Sequence, residues 1–146
     1  MRIAFGADHA GFAMKQQLVE WLGKTDHEVI DMGTDSEKSV DYPDFAFAVA
    51  TEVAECRADF GILVCGSGVG MEIVANKVAG IRAANCYSPE IASLARKHNN
   101  ANVLTIGARF IDLLTAKEII SVFLDGEFEG GRHMLRVEKI HSLTGN

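Results

Sequence analysis

The stretch that organises this chain is ILVCGSGVG, residues 62–70. Its apolar first half predicts a buried strand, and glycine at every second position from Gly66 to Gly70 predicts a tight loop. The following segment, Met71 to Lys77, has a helical pattern. A strand, a glycine-rich loop and a helix start form a cradle whose backbone N–H groups bind anions. Cys65 stands beside this cradle, where the same field stabilises a thiolate.

The composition predicts one domain over residues 1–146, with enough apolar content, 48%, to fill a core. The net charge of −6 argues against a nucleic-acid partner. No run approaches the roughly 18 apolar residues of a membrane span, and the amino terminus lacks a signal peptide's layout. Three cysteines without a CxxC spacing are typical of reduced thiols in the cytoplasm. We expect Cys56 and Cys86 to be buried and inert.

Apolar periodicity divides the chain into short strands that alternate with helices. Strands are expected at Arg2–Ala7, Glu28–Asp31, Phe60–Val64, Gly80–Asn85 and Asn102–Ile106. Besides the helix after the glycine loop, helices are expected at Phe12–Leu22, from Tyr42-Pro43 through Val53, from Ser88 to about Asn100, at Ile111–Leu124 and at Arg132–Leu143. This order predicts an α/β fold, a three-layer Rossmann-like domain with a five-stranded parallel sheet and a C-terminal helix.

Ligands of open parallel sheets bind at the carboxyl ends of the strands. Asp8 and His9 follow the first strand, Cys65 and the glycine loop follow the third, and Arg109 follows the fifth. A glycine loop alone can be a simple turn, but its position directly after Cys65 favours anion binding. The loop is not a Walker A loop or a nucleophile elbow, and Met71 stands where a phosphatase loop needs arginine.

The remaining candidates lie further along the chain. His98 precedes a strand, so it starts at the opposite edge of the sheet and meets Cys65 only by a long reach or in a partner chain. Arg132 and Arg136 are four residues apart at the start of the last helix and share one face. In an acidic protein this pair, joined by Arg109, is better explained as a phosphate clamp than as a solvated surface.

Taken together, these stretches resemble type B ribose-5-phosphate isomerase, in the family that also holds the galactose-6-phosphate isomerase subunits. The matching stretches are residues 6–12 (GADHAGF), 41–43 (DYP), 61–70 (GILVCGSGVG), 75–77 (ANK), 80–83 (GIRA), 98–102 (HNNAN) and 129–133 (EGGRH). One branch of the family uses a glutamate directly after the last loop glycine instead of the cysteine. Met71 occupies that position here and Glu72 lies one step further on, which favours Cys65.

The resemblance implies an aldose–ketose isomerase without metal or cofactor, which interconverts ribose 5-phosphate and ribulose 5-phosphate through an enediolate. Cys65 would move a proton between C2 and C1, and His98 would open the furanose ring. Ser67 would hold the oxyanion together with the loop amides. Substrate-binding roles are implied for Asp8, His9, Tyr42 and Asn99 at the sugar, for Gly66, Gly68, Val69 and Gly70 at the oxyanion, and for Arg109, Arg132 and Arg136 at the phosphate.

The resemblance also implies a homodimer or a dimer of dimers with active sites between subunits, so that His98 would serve a neighbour's Cys65. Three alternatives stay open at this point. The substrate could be a six-carbon aldose phosphate, such as allose or galactose 6-phosphate. The chain could bind a sugar phosphate without catalysis, or Cys65 could be the nucleophile of an acyl transfer.

Overall fold

The computed structural model describes residues 1–145 as an alternation of strands and helices. The strands are β1 (Arg2–Ala7), β2 (Glu28–Asp31), β3 (Phe60–Cys65), β4 (Ala83–Asn85) and β5 (Val103–Gly107). The helices are α1 (Phe12–Leu22), α2 (Tyr42–Ala54), α3 (Val69–Ala75), α4 (Pro89–Asn99), α5 (Leu113–Asp125) and α6 (Arg132–Thr144). The expected domain over residues 1–146 includes Asn146, which lies outside the described residues.

The strands form one sheet in the order β2-β1-β3-β5-β4, and every neighbouring pair is parallel. The predicted α/β class with a five-stranded parallel sheet and a C-terminal helix is therefore confirmed. The strand β3 is central, with Val64 opposite Ala7 of β1 and Cys65 opposite Gly107 of β5. All three of these strands consequently end at the same edge.

Side chains of the central strands alternate between two apolar layers, as the period of two in a strand requires. Ile62 and Val64 face the layer that contains α1, α4 and α5, whereas Leu63 and Cys65 face the layer that contains α2 and α3. Because both faces are covered, the strands are continuous apolar runs rather than alternating ones. Among residues 1–145, no helix has the length and apolar character needed to cross a bilayer.

Several boundaries differ from the expected ones for local reasons. Strand β4 begins at Ala83 rather than Gly80, since Gly80 has a left-handed φ of 80° and the Arg82 N–H donates to the side chain of Asn102. Helix α3 begins at Val69 rather than Met71, directly after Gly68. In α5, Asp112 caps the helix by accepting from the Thr115 N–H at 2.8 Å, which moves the start from 111 to 113.

The start of α1 approaches β3 so closely that Gly11 has no room for a side chain. A β-carbon there would stand 2.2 Å from the carbonyl oxygen of Val64. We expect Gly11→Ala to lower the free energy of unfolding by about 2–3 kcal/mol, because the backbone must move apart. Urea denaturation measures this. The control is Gly23→Ala at the end of α1, with φ −65° and an expected change below about 1 kcal/mol. Equal stabilities of the two variants would contradict the packing argument.

Candidate functional site

A cleft of about 320 Å³ opens at the carboxyl edge of the sheet, between the ends of β1, β3 and β5. Its lining combines a thiol, a carboxylate, an imidazole, a phenol and a guanidinium with backbone of the glycine loop. The lining residues are Asp8, His9, Ala10, Tyr42, Cys65, Gly66, Ser67, Gly70, Arg109 and Phe110. The volume lies in the range of small-molecule sites, so the edge expected from the sequence does hold a ligand-sized cavity.

The anion loop, residues 66–70, is folded around the sulfur of Cys65. Gly68 adopts φ 81°, a left-handed conformation that favours glycine. This conformation directs the Gly68 N–H to Cys65 Sγ at 3.1 Å. Cys65 is buried, with 4% of the residue exposed, and this hydrogen bond fixes the position of its sulfur beside the loop. Cys65 is therefore placed as a base or a nucleophile rather than as inert packing.

Other amides of the anion loop remain available to a ligand. Among residues 1–145, the N–H groups of Gly66, Ser67 and Gly70 have no hydrogen-bond partner, and all three residues line the cleft. Gly68 donates to the sulfur and Val69 donates weakly to Ser67 Oγ at 3.4 Å. Gly68 is buried and Val69 is exposed, and neither belongs to the cleft lining. The loop thus separates amides that hold the thiol from amides that face the cavity.

Asp8 and His9 are fixed where β1 ends. Asp8 is buried, and its Oδ1 accepts from the N–H groups of Ala10 and Gly11 at 2.9 and 3.0 Å. His9 is held from the loop before α2, because its Nδ1 lies 3.2 Å from the backbone of Val40. Both side chains are ordered by backbone contacts before any ligand enters, which reduces the entropy lost on binding.

The side chains of Tyr42 and Arg109 pack closely against the anion loop at two of its glycines. A β-carbon on Gly70 would stand 2.7 Å from the Tyr42 ring, and one on Gly66 would stand 3.2 Å from the guanidinium carbon of Arg109. The alternating glycines therefore serve contact with neighbouring side chains as well as loop conformation. Arg109 brings a positive charge to the cleft beside the open amides, which makes this part of the site attractive to anions.

The other predicted residues form a second cluster at the opposite edge. The ring of His98 at the end of α4 stacks on the buried ring of His133 in α6, with centroids 4.2 Å apart and planes within 6°. Arg132 and Arg136 are exposed on the same helix. Asn99 lines a separate cleft of about 350 Å³. Within one chain, none of these residues lines the cleft that contains Cys65.

The second cluster also contains the one group of metal-binding side chains found among residues 1–145. Atoms of His98, Glu129 and His133 lie within 4.8 Å of one another. The two rings are parallel, however, so their nitrogen lone pairs do not converge on one point, and a tetrahedral ion would require them to turn. The arrangement suits a stacked histidine pair near a carboxylate better than a metal centre.

One of the two expectations for the other cysteines is wrong and the other is confirmed. Cys56 was expected to be buried, but it is exposed, with a left-handed φ of 57° at the turn after α2. Cys86 is buried as expected, and burial, with a smaller contribution from the Glu72 charge, raises the pKa of its thiol to about 12. Cys86 is therefore protonated and unreactive at neutral pH.

Sequence reasoning missed four residues that belong to these clusters. Phe110 lines the cleft although 70% of it is exposed, and His133 stacks on His98. Asn85 donates a hydrogen bond from its side chain to the Ser67 carbonyl of the anion loop, and another from its backbone N–H to the Glu72 carboxylate. The position of His133 directly after the predicted site residue Arg132 was a usable sequence signal. No sequence signal predicts the hydrogen bond between Asn85 and Glu72, because it depends on how closely α3 approaches β4.

The fold and the cleft define a class of protein, an open parallel α/β domain with a thiol and an anion loop at the carboxyl edge of its sheet. A protein-family model described as Ribose/Galactose Isomerase matches residues 3–140 of the chain. The chain belongs to this family.

Relatives of known name agree with that assignment. Ribose-5-phosphate isomerase B of Escherichia coli (strain K12) is 49% identical over 142 residues, which cover 97% of this chain and 95% of the relative. A structure of Clostridium thermocellum ribose-5-phosphate isomerase B superposes with a TM-score of 0.98 at 46% identity, covering 99% and 98% of the two chains. The Mycoplasma genitalium enzyme, solved with bound ribulose-5-phosphate, superposes with a TM-score of 0.94 at 41% identity, covering 99% and 97%.

The stacked histidines make the stability of the fold depend on pH. Burial lowers the pKa of His133, and the positive charges of His98, Arg132 and Arg136 lower it further, against an opposing effect of Glu129. In the pH range just below the usual histidine pKa of about 6.5, the unfolded chain therefore binds more protons than the folded one. Stability from this group is present above that pH and is lost as the pH falls towards the lower, folded-state pKa.

We expect the Tm of the protein to fall between about pH 7 and pH 5.5, with a smaller fall in His133→Gln. Thermal unfolding followed by circular dichroism over this range measures the difference. Ser142→Gln on the same helix, an exposed position without a titratable group, is the control and should keep the wild-type slope. An unchanged slope in His133→Gln would show that another group causes the pH dependence.

Proposed function

We propose that the chain is an aldose–ketose isomerase that interconverts ribose 5-phosphate and ribulose 5-phosphate. The observation that carries this proposal is the cleft in which Cys65 Sγ, the open amides of the anion loop and Arg109 converge. Membership of the isomerase family and the names of its relatives support the same activity. The reaction moves one proton between C2 and C1 and a second between O2 and O1 of the open-chain sugar through an enediolate. One of these carbons is oxidised while the other is reduced, so no external oxidant, reductant or group transfer is needed.

Cys65 is the base in this proposal. Its thiolate takes the proton next to the carbonyl and returns it to the neighbouring carbon, which is acid–base work worth about 10²–10⁴-fold in rate. The thiol is buried and hydrogen-bonded by Gly68, so it is held in one orientation. An exposed sulfur such as that of Cys56 lacks this support.

The anion loop stabilises the charge that develops on the substrate oxygen. Gly66, Ser67 and Gly70 line the cleft, and their N–H groups have no hydrogen-bond partner among residues 1–145. They can therefore donate to the substrate oxygen, and the Ser67 hydroxyl can add a donor. A single donor of this kind contributes about 10²–10³-fold to kcat. Asp8, His9 and Tyr42 line the same cleft and position the sugar hydroxyls.

The active site is completed by a second copy of the chain. His98, Asn99, Arg132 and Arg136 lie outside the cleft of their own chain, so in a homodimer they would enter the cleft of the partner. The same two helices carry exposed apolar side chains that suit a subunit interface: Ile91 and Leu94 on α4, and Met134, Leu135, Ile140 and Leu143 on α6. His98 would then open the sugar ring of a substrate held on the other subunit's Cys65.

The phosphate group is bound where arginines meet. Arg109 lies at the mouth of the cleft, and the partner's α6 would bring Arg132 and Arg136 to it. Each hydrogen bond between a charged group and the phosphate contributes about 1.5–3 kcal/mol. The phosphate binds far from the reacting carbons, so its binding energy orients C1 and C2 against Cys65. Because arginines are concentrated at the proposed phosphate site, the chain can bind an anion there although its net charge is −6.

Three further properties belong to the proposal. The enzyme acts without a metal or cofactor, and its three free cysteines suit the reducing cytoplasm. Residues 1–146 act as one domain, and the assembly is a homodimer or a dimer of dimers. A six-carbon aldose phosphate is the second candidate substrate, because the family description covers galactose as well as ribose. Comparing kcat/KM for ribose 5-phosphate and allose 6-phosphate decides between the two.

Replacing Cys65 by alanine should nearly abolish isomerisation, with a loss of at least about 10²-fold in kcat, because the proton then has no carrier. Binding of ribose 5-phosphate, measured by calorimetry, should survive because the arginines are intact. Exchange of solvent deuterium into bound substrate should disappear in parallel. Cys56→Ala is the matched control, with wild-type turnover. Near-normal turnover in Cys65→Ala would remove the thiol from the mechanism, and a covalent acyl-enzyme in the wild type would favour acyl transfer.

Mixing two inactive variants tests the shared site. In a heterodimer of Cys65→Ala and His98→Asn chains, one site carries both changes and the other site carries neither. Random reassociation makes half of the dimers mixed, so activity should return to about a quarter of the wild-type value. Mixing Cys65→Ala with Cys65→Ser chains is the control and should restore nothing. No recovery in the first mixture would place both residues in a site within one chain.

A further inference from the structure

Asn85, the last residue of β4, reaches the anion loop from the side away from the cleft. Its side-chain Nδ2 donates to the Ser67 carbonyl at 3.1 Å and to the Tyr87 hydroxyl at 3.0 Å. Its backbone N–H donates to Oε1 of Glu72 in α3 at 3.1 Å. The backbone of Asn85 is thus held by Glu72, and its side-chain amide is directed at the anion loop.

The Ser67 carbonyl that Asn85 binds belongs to the same peptide as the Gly68 N–H. That N–H is the group that donates to Cys65 Sγ at 3.1 Å. A peptide is planar, with its carbonyl and its N–H pointing in opposite directions. This peptide is therefore fixed at both ends, by Asn85 at the oxygen and by Cys65 at the nitrogen. A rotation that frees one end also turns the other away from its partner.

The packing of the same side chain restricts the loop further. A β-carbon on Gly68 would stand 2.3 Å from Oδ1 of Asn85, so the amide lies directly against the glycine. Gly68 has φ 81°, and the contact limits how far this left-handed position can move. Asn85 consequently acts on the conformation of Gly68 as well as on the carbonyl before it.

The side-chain amide of Asn85 also makes an unfavourable contribution to the stability of the fold, so its packing alone does not explain why an asparagine stands here. Its Oδ1 is buried and has no hydrogen-bond partner among residues 1–145. A buried acceptor without a donor destabilises the folded state. A leucine has the same branching and the same number of side-chain heavy atoms, and it would avoid this cost. An amide at this position is therefore better explained by what its Nδ2 holds in place.

We propose that Asn85 is a positioning residue of the isomerase, which holds the Ser67–Gly68 peptide so that Cys65 and the oxyanion amides keep their reactive geometry. Glu72 supports it by fixing the end of β4. The inference rests on the proposed function, since it assigns Asn85 a part in that reaction. Asn85 does not line the cleft, so its effect is transmitted through the loop.

The test is the kinetics of Asn85→Leu and Asn85→Ala with ribose 5-phosphate. We expect kcat to fall by about tenfold or more, because displaced catalytic groups lose transition-state stabilisation. KM should stay within about twofold, because the arginines that bind the phosphate are untouched. The Tm should change by no more than about 4 °C, since Leu removes the unsatisfied Oδ1 while leaving the Ser67 carbonyl without its donor. The alanine variant covers the case in which leucine clashes with Gly68.

Asn76→Leu is the matched control. The Asn76 side chain joins the end of α3 to β4 through two hydrogen bonds with Ala83, far from the anion loop. This variant should lower the Tm, because both hydrogen bonds with Ala83 are lost. It should leave kcat within about twofold of wild type, because the catalytic groups of the anion loop keep their positions. Wild-type kcat in both Asn85 variants would overturn the proposal, and so would a rise in KM without a fall in kcat.

Alkylation of Cys65 by iodoacetamide separates this inference from the proposed function. In a Cys56→Ser background, the remaining reactive thiol is Cys65, because Cys86 is buried and protonated. Asn85→Leu should slow its alkylation at pH 7.5 by about threefold or more, because the released Ser67–Gly68 peptide no longer holds the sulfur in its reactive position. An unchanged or faster rate would overturn the inference. A wild-type protein that is inactive on pentose phosphates would refute only the proposed function.

Discussion

The parallel register of three strands is the constraint on which the site depends. With β3 between β1 and β5, Val64 lies opposite Ala7 and Cys65 lies opposite Gly107. Asp8, the anion loop and Arg109 therefore leave the sheet side by side, although more than a hundred residues separate the first from the last. A shift of one residue in either pairing would turn Cys65 to the other face of the sheet. The chemistry of the cleft is thus set by backbone hydrogen bonds of the buried core.

The three glycines of the anion loop allow that chemistry in two different ways. Gly68 supplies a left-handed conformation that directs its N–H to the sulfur. Gly66 and Gly70 leave room for Arg109 and Tyr42 to approach the backbone. Amides without partners among the described residues, a cation and a buried thiol then lie together in one cleft. A side chain at any of the three positions would displace one partner.

The position of the second cluster supports the proposed association of two chains. The stacked His98 and His133, with Arg132 and Arg136 nearby, lie at the edge of the sheet opposite Cys65. Helix α4 runs antiparallel to the strands, so residues at its end cannot reach the carboxyl edge of the same chain. In the proposed dimer, a chain of 146 residues would combine both edges of its sheet in one catalytic centre. Under that proposal, activity would depend on subunit association.

The sequence by itself determined the elements and the chemically able residues. Periodicity located all five strands and six helices, since local hydrophobic patterns decide them, with errors of a few residues at β4, α3 and α5. The position of Cys65 before the glycine loop, and of Asp8 after the first strand, identified the cleft because parallel strands share one carboxyl edge. Only the tertiary structure decided that Cys56 is exposed, that His133 stacks on His98, and that Asn85 holds the Ser67 carbonyl. These contacts join residues of different elements, whose relative placement depends on packing, and no local pattern in the chain encodes that placement.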